Sequence, residues 1–312
     1  MAAVLFAITL LVFGIFFLTP GVDPARQLAG RNPNPQTLVL IRHQFGLDRP
    51  LPVRYLLLMK KLFITRDLTS YSNQGAKVMP EIVSATPVTL SLVFGAAVIW
   101  VVVSIAMGLA AAVLKGTVFD PLLMIIALIG ISMPVFWLGE MMNLITQNRL
   151  HSTLLFSWVP PLGYTPLTSD PWMWFKQLVI PWLTLSVLYI GFYARVLRAN
   201  ILETENEDYV RTAHAKGISD RRVLLRHQLR TSMVTFVSLF GLDFAALVGG
   251  GALLTEVVFG LPGVGRLTYP SLHSLDLPVI MATVVYGAFF IVFANTLVDI
   301  AYAWLDPRVR PT

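Results

Sequence analysis

Four acidic residues lie in or beside long apolar runs of the kind that cross a lipid bilayer. They are Glu140, Asp243, Glu256 and Asp299. A carboxylate in such a run can contact a solute that crosses the membrane, relay protons, or pair with a polar group of a neighbouring helix. Asp243, Glu256 and Asp299 are therefore candidates for a pathway or gate. Pairing within the protein is the alternative for Asp243 and Asp299.

A short polar stretch between two apolar runs has the pattern of an exposed helix. It consists of Asp208, Tyr209, Val210, Arg211, Thr212, Ala213, His214, Ala215, Lys216 and Gly217. Asp208 can cap its N-terminus, and Gly217 can end it in a left-handed conformation. A helix this short is marginal alone in water. We therefore predict that it docks into a groove on another protein, to which it presents Tyr209, Val210 and Ala213.

Several other chemistries lack the residues that they need. The chain has no cysteine, and its five histidines are scattered without metal-ligand spacing. No Gly-Lys dipeptide occurs, so the phosphate-binding loop G-x-x-x-x-G-K-[ST] is absent. We expect no cofactor in this chain and no ATP hydrolysis by it. Nucleic-acid binding is not expected from the net charge of +6, because basic residues collect in the cytoplasmic loops of membrane proteins.

The elements that position these residues are apolar helices. Of the 312 residues 56% are hydrophobic and 13% are charged, with a mean hydropathy of +0.71. A soluble domain has about twice that charged fraction, so lipid must be the solvent for much of the chain. Six runs approach or exceed the length that spans a bilayer, and each must be helical to satisfy its own backbone. They are Ala2–Leu18, Thr86–Leu114, Pro121–Thr146, Leu178–Leu197, Val234–Val258 and Val279–Trp304.

Two local features refine these spans. The first run has no basic lead and no small-x-small cleavage site after it, so we expect a retained helix and not a signal peptide. Pro134 lies in the middle of the third run and predicts a kink there, because proline removes a helical hydrogen bond.

Basic residues in the connections indicate the orientation. Residues 195–230 contain eight Lys or Arg, whereas residues 147–177 and 259–278 together contain three. The excess places the first of these segments in the cytoplasm and the other two outside. With six spans, both termini are then cytoplasmic. The long loop 19–85 lies outside, and loops of more than about 60 residues are translocated largely regardless of their charge.

The outer loop is expected to fold into a small cap. Turn signals at residues 32–35 precede two partly amphipathic stretches, Thr37–Phe45 and Leu51–Phe63. Within the second stretch, the side chains predicted to lie toward one side are those of Leu56, Leu57 and Phe63.

Four segments of the chain carry a family resemblance, and they follow one another along the chain in the order that the family has. They are Asp208 to Gly217 followed by Arg221-Arg-Val-Leu-x-Arg-His-x-Leu-Arg230; Phe45-Gly-Leu-Asp-Arg-Pro-Leu51; Glu256-Val-Val-Phe-Gly-Leu-Pro-Gly-Val-Gly265; and Asn295 to Arg310. Together they resemble segments of the permeases of bacterial ABC importers, in particular those of the dipeptide/oligopeptide type. No single segment would be sufficient, but the resemblance covers nearly the whole chain.

The resemblance implies an all-α permease with the architecture of a type I ABC importer. It implies one transmembrane domain over residues 1–312, in the bacterial plasma (inner) membrane. Such a chain forms half of a translocation pathway, and peptides are the expected substrates. Its partners would be a second homologous permease, two ATPases that bind ATP and Mg, an external substrate-binding protein and the lipid bilayer. Residues 208–217 would be the coupling helix within a cytoplasmic loop, 198–232.

A different mechanism remains as an alternative. A secondary transporter driven by protons or ions could use Asp243 and Asp299 as its relay. Hydropathy alone does not separate the two classes, since both need a bundle of apolar helices.

Overall fold

A computed structural model describes residues 2–18, 25–26, 29, 34–44, 46–73 and 75–305. In this part of the chain all regular structure is helical and no strand forms. The helices are α1 Ala2–Leu18, α2 Pro35–Gln44, α3 Leu51–Met59, α4 Val78–Val113, α5 Phe119–Ser132, α6 Val135–Asn143, α7 Pro171–Thr204, α8 Asp208–Ala215, α9 Asp220–Val223, α10 Leu229–Ala246, α11 Leu253–Val258, α12 Val264–His273 and α13 Leu277–Leu305. Wider π-helical turns extend three of these helices: α3 by Lys60–Ile64, α6 by Leu144–Arg149 and α10 by Leu247–Gly251. A fourth such turn, Leu224–Gln228, joins α9 to α10.

Four helical segments are long and apolar enough to cross a membrane. They are α4, α7, the continuous run Asp220–Gly251, and the Leu277–Leu297 part of α13. The pair α5 and α6 would make a fifth if it is one broken span, and α1 is a shorter apolar helix. The chain is therefore a helical, multi-pass membrane protein. The count of six spans stays a prediction.

The third predicted run is broken and not merely kinked. Its two halves, α5 and α6, differ in direction by 92°. Met133 has an extended conformation (φ −84°, ψ 124°), and Pro134 precedes the first residue of α6. Proline lacks the amide hydrogen and disfavours the helical conformation of the residue before it, which ends α5.

The fifth predicted run, Val234–Val258, is also divided. Its helix starts upstream, at Asp220, and stops at Gly251, where Gly250 has φ 126°. A side chain rarely adopts that conformation, so glycine allows the break. Gly249 packs close to α13, because a Cβ on Gly287 would lie 2.3 Å from the Gly249 carbonyl oxygen.

Two compact units make up the chain. The first contains Met1–Leu90 and Ala246–Val292, and the second contains Ser91–Ala245 and Phe293–Thr312. In the first unit, Phe13 of α1, Tyr55 of α3, Ile82 of α4 and Met281 of α13 belong to one buried core. The described part of the outer loop is thus folded, as the predicted cap requires.

The side of the second stretch that carries Leu56 and Phe63 is exposed, and a different face of α3 is buried. Tyr55, Leu58 and Leu62 form the buried side of α3 and its π-helical turn, whereas Leu56 is 66% exposed and Phe63 is 48% exposed. Spacings of three and four residues put the first three on a single face of a helix. The short amphipathic pattern did not distinguish that face from its neighbour.

Asp276 fastens the end of the outer loop to the start of α13. Its buried carboxylate accepts hydrogen bonds from the Ser70 hydroxyl and from the amides of Tyr71 (3.0 Å) and Ser72 (3.1 Å). Burial, and then the nearby Asp276 carboxylate, raise the pKa of Tyr71 to about 12, so its hydroxyl stays neutral at physiological pH.

We expect Asp276→Ala to lower the free energy of unfolding by about 3 kcal/mol, because three donors lose their buried acceptor. A thermal unfolding curve of the purified protein measures the change. Asp67→Ala is the matched control in the same loop, since Asp67 is 60% exposed and its carboxylate pairs with the equally exposed Lys77 at 3.1 Å. Equal destabilisation by both changes would contradict the assignment.

The second unit packs α4, α5, α7 and α10 closely together. Trp100, Tyr193 and Phe236 are buried, and the rings of Tyr193 and Phe236 meet at 4.8 Å. A Cβ on Gly191 would lie 2.3 Å from the Ala127 carbonyl oxygen, so α5 and α7 touch through their backbones. Small residues permit such contact between membrane helices.

An ion pair also joins α5 to α7. Arg198 donates two hydrogen bonds of 2.6 Å to the two carboxylate oxygens of Asp120, whose side chain is 9% exposed. The sequence prediction had ended the fourth span at Leu197 and assigned Arg198 to the following loop. In the structure α7 continues to Thr204, and Arg198 lies within it.

Candidate functional site

The polar segment predicted to dock on a partner forms helix α8. The helix begins at Asp208, and Glu207 occupies the capping position with φ −72° and ψ 146° but makes no side-chain capping bond. The prediction that Asp208 caps the helix is therefore wrong by one residue. Asp208 lies in the first turn, where the positive end of the helix dipole favours a carboxylate.

Gly217 ends α8 as predicted. It has φ +73°, and its amide donates to the His214 carbonyl at 2.9 Å. The next amide, of Ile218, donates to the Ala213 carbonyl at 3.2 Å. These two bonds are those of a Schellman motif, which satisfies the last carbonyls of a helix and turns the chain sharply.

The inner face of α8 is not available to a partner. Val210 is 1% exposed and Ala213 is 5% exposed, and both pack against Val223 of α9, with Ile218 beside them. The prediction that these two residues face another protein is wrong. They hold α8 against the following helix, because the chain folds back after Gly217 and covers them.

The outer face of α8 is polar and exposed. Tyr209 is 40% exposed, and the Arg211 side chain is 69% exposed with a contact of 3.5 Å to Asp208. His214 lies 3.4 Å from Asp220, which is also exposed. Exposed pairs of this kind contribute little to stability, so a partner protein can compete for these charges. Of the three side chains predicted to face a partner, Tyr209 is the one on this surface.

Asp243 lies in α10 within the second unit. It is half-buried, and the Tyr193 hydroxyl donates to its Oδ2 at 2.7 Å. The structure thus pairs Asp243 with a polar group of a neighbouring helix. It leaves part of the carboxylate open.

Glu256 is fully buried in the first unit. It accepts from the Thr89 hydroxyl at 2.6 Å and from the Arg266 amide at 2.9 Å, and Thr89 accepts from the Val264 amide at 2.9 Å. A Cβ on Gly263 would lie 2.3 Å from the Glu256 carboxyl carbon. This closed arrangement is that of a structural carboxylate, so the geometry does not support the predicted pathway or gate role of Glu256.

We expect Glu256→Gln to lower the free energy of unfolding by about 2 kcal/mol, because an amide cannot accept at both positions. Transport per folded molecule should stay unchanged. Thermal unfolding and uptake normalised to folded protein measure the two effects. Uptake that falls with no loss of stability would restore the pathway role.

The other two intramembrane carboxylates contribute less to the site. Glu140 is exposed on α6. Asp299 belongs to α13, but its side chain lies outside the described residues, as do Arg308 and Arg310. Sequence reasoning missed Asp120 and Asp276, whose partners are distant along the chain. An acidic residue at the first turn of an apolar run was the available signal for Asp120.

Two family models match the chain, and together they account for most of it. Residues 104–311 match the binding-protein-dependent transport system inner membrane component, and residues 1–93 match the N-terminal model of the same kind of membrane component. The chain belongs to this family. It is thus the permease of an ATP-driven importer that works with a binding protein, which decides against the proton- or ion-driven alternative.

Curated relatives of this permease extend over nearly its full length. A putative peptide transport system permease of Brucella abortus is 37% identical over 98% of this chain and 95% of the relative. A dipeptide transport system permease of Alkalihalophilus pseudofirmus is 31% identical over 98% and 96%. A probable D,D-dipeptide transport system permease of Escherichia coli is 34% identical over 97% and 92%.

A solved structure shares the fold of this permease. A chain in the inward-facing MetNI methionine ABC transporter aligns with a TM-score of 0.57 and 18% identity, over 73% of this permease and 97% of that chain. At this identity the likeness concerns the fold alone.

Proposed function

We propose that this permease imports peptides and that α8 is its coupling helix. The names of its relatives support the substrate class, since peptide and dipeptide permeases match over almost the entire chain. We further propose one transmembrane domain over residues 1–312 with six crossings, in which α1 is one crossing and the broken pair α5 and α6 is another. Both termini would be cytoplasmic, and residues 198–232, which include the end of α7 together with α8 and α9, would lie on the cytoplasmic side.

The observation that carries the coupling proposal is the two-sided packing of α8. Its inner face is anchored on α9 through Val210 and Ala213, while Tyr209 and Arg211 remain exposed. A docking helix must be rigid toward its own chain and open toward its partner, because a force on one end has to reach the spans on both sides.

The proposed assembly contains two permeases, two ATPases and an external binding protein. The second permease would complete the pathway, and the ATPases would bind ATP and Mg and hydrolyse the nucleotide. The permease would lie in the lipid bilayer, and the binding protein would deliver the peptide at the outer face of the permease. The permease itself supplies the path and carries out no hydrolysis.

Arg211→Glu tests the docking surface. The permease is expressed with its neighbouring genes, purified with the ATPases that accompany it, and reconstituted with the binding protein. Uptake of labelled alanyl-alanine and ATP hydrolysis are both measured. We expect uptake to fall at least tenfold relative to hydrolysis. The reversed charge should weaken the docking of α8 on the ATPase by more than about 1.4 kcal/mol, which corresponds to a factor of ten.

Arg149→Glu is the matched control for this experiment. Arg149 is exposed at the end of the α6 turn, in a connection proposed to lie on the outer side. The same charge reversal there should leave the ratio of uptake to hydrolysis unchanged. Normal coupling in Arg211→Glu, or purification of the permease without any ATPase, would contradict the proposal.

A further inference from the structure

Aromatic side chains surround Asp243 in the second unit. Tyr193 donates to the Asp243 carboxylate at 2.7 Å. Trp100 stacks on Tyr189 with 4.6 Å between ring centroids, and Phe240 lies 5.4 Å from Trp100. Tyr189 and Tyr193 share a face of α7, as Phe240 and Asp243 share a face of α10. We call these five residues the aromatic–aspartate cluster.

The carboxylate of this cluster is incompletely paired. Tyr193 occupies one oxygen, and the other has no hydrogen bond within the described part of the chain. Asp243, Tyr189 and Phe240 are each half-buried, so part of each side chain remains accessible, whereas Trp100 and Tyr193 are fully buried. In a membrane-spanning helix such a carboxylate must face the bundle interior or a water-filled space, because exposure to lipid is too costly.

The accessible groups of this cluster are of the types that attract a cation. The face of an aromatic ring carries negative potential and attracts a cation within about 6 Å of its centre, and an adjacent carboxylate adds a full negative charge. A hydrogen-bonded structural pair would need only the Tyr193 hydroxyl. It would leave the second carboxylate oxygen without a donor from the described residues.

We propose that the aromatic–aspartate cluster binds the terminal ammonium group of a peptide during its passage through the permease. This inference rests on the proposed peptide transport. The free amino terminus is the cation that every unblocked peptide carries, whatever its side chains. A site that recognises it can therefore serve many sequences while the variable side chains lie elsewhere.

Tetramethylammonium is the probe for this site. It is a permanent cation without N–H groups, so it can occupy the cluster by charge and ring contact but cannot take part in a proton relay. Its binding to the purified complex is followed by tryptophan fluorescence, since Trp100 lies directly against Tyr189. Its inhibition of alanyl-alanine uptake is measured in parallel, with peptide binding to the isolated binding protein checked at the same salt concentration.

Asp243→Asn is the main variant, because the amide oxygen can still accept from Tyr193 while the charge is lost. We expect about a tenfold weaker effect of tetramethylammonium in both measurements, the size of a partly desolvated cation contact. Glu140→Gln removes a carboxylate in the same way from α6 and should leave both measurements unchanged. If Asp243→Asn fails to assemble, Tyr189→Leu, compared with the ring-preserving Tyr189→Phe, carries the test.

Each outcome decides the proposal. Loss of tetramethylammonium sensitivity in Asp243→Asn or Tyr189→Leu, with retention in Glu140→Gln and Tyr189→Phe, supports it. Equal sensitivity in all variants, or none in the unaltered protein, overturns it. Cation binding that depends on Asp243 in a complex without peptide uptake would overturn the ammonium role and the proposed substrate together. Normal uptake without cation binding would overturn the cluster alone.

Discussion

Replacing Gly217 with proline is expected to reduce ATP-driven uptake more than tenfold while the chain still enters the membrane. Gly217 has φ +73°, and its amide donates to the His214 carbonyl at 2.9 Å. Proline is restricted to φ near −65° and has no amide hydrogen, so it can keep neither the left-handed turn after α8 nor the bond to the His214 carbonyl. With α8 misplaced, ATP hydrolysis in the reconstituted complex should continue without matching uptake.

Gly116→Pro is the matched control for this change. Gly116 also has a left-handed conformation, φ +81°, with open space where a Cβ would lie, and it belongs to the short connection between α4 and α5. The backbone strain is therefore similar, but α8 is untouched. The same loss of coupling in both variants would mean that general disruption, and not the coupling helix, explains the result.

Breaking the Asp120–Arg198 pair is expected to destabilise the second unit strongly. Asp120→Asn leaves the guanidinium of Arg198, 26% exposed, without the carboxylate that accepts its two 2.6 Å bonds. Removal of one partner from a largely buried pair costs about 3 kcal/mol or more. Thermal unfolding of the detergent-solubilised protein measures the loss.

Two further variants test this explanation. The double change Asp120→Asn with Arg198→Gln removes both charges and should recover much of the lost stability, as a double-mutant cycle would reveal. Lys115→Gln breaks an ion pair of similar length, 2.7 Å to Glu205, in which both side chains are at least half exposed. It should cost less than about 1 kcal/mol. A larger loss in Lys115→Gln than in Asp120→Asn would contradict the role of burial.

Local patterns predicted much of the polar site. Gly217 ends α8 where the sequence indicated, because a glycine after a short helical pattern is a local signal. The inward packing of Val210 and Ala213 was not predicted. Their partner, Val223, belongs to the next helix, and an eight-residue helix is too short for its pattern to show which side will be covered.

For the apolar runs too, the sequence predicted the helices but not how they are broken and packed. Hydropathy located the helices, but the 92° bend at Pro134 and the break at Gly250 divide two of the predicted spans. Proline and glycine permit a change of direction, while the packing around them determines its size. The start of α4 and both ends of α7 extend beyond the apolar runs, because polar residues at the membrane surface can continue a helix.

The sequence by itself determined that this chain is a membrane permease of a binding-protein-dependent importer, because hydropathy, helix ends and family segments are all local properties. The tertiary structure decided which of the buried or half-buried carboxylates are enclosed by hydrogen-bond donors and which one keeps an oxygen without a donor. Glu256, Asp120 and Asp276 each find partners far away in the sequence, whereas Asp243 keeps one oxygen free of hydrogen bonds within the described residues. Such partners are set by the packing of helices against one another, and no spacing along the chain encodes them.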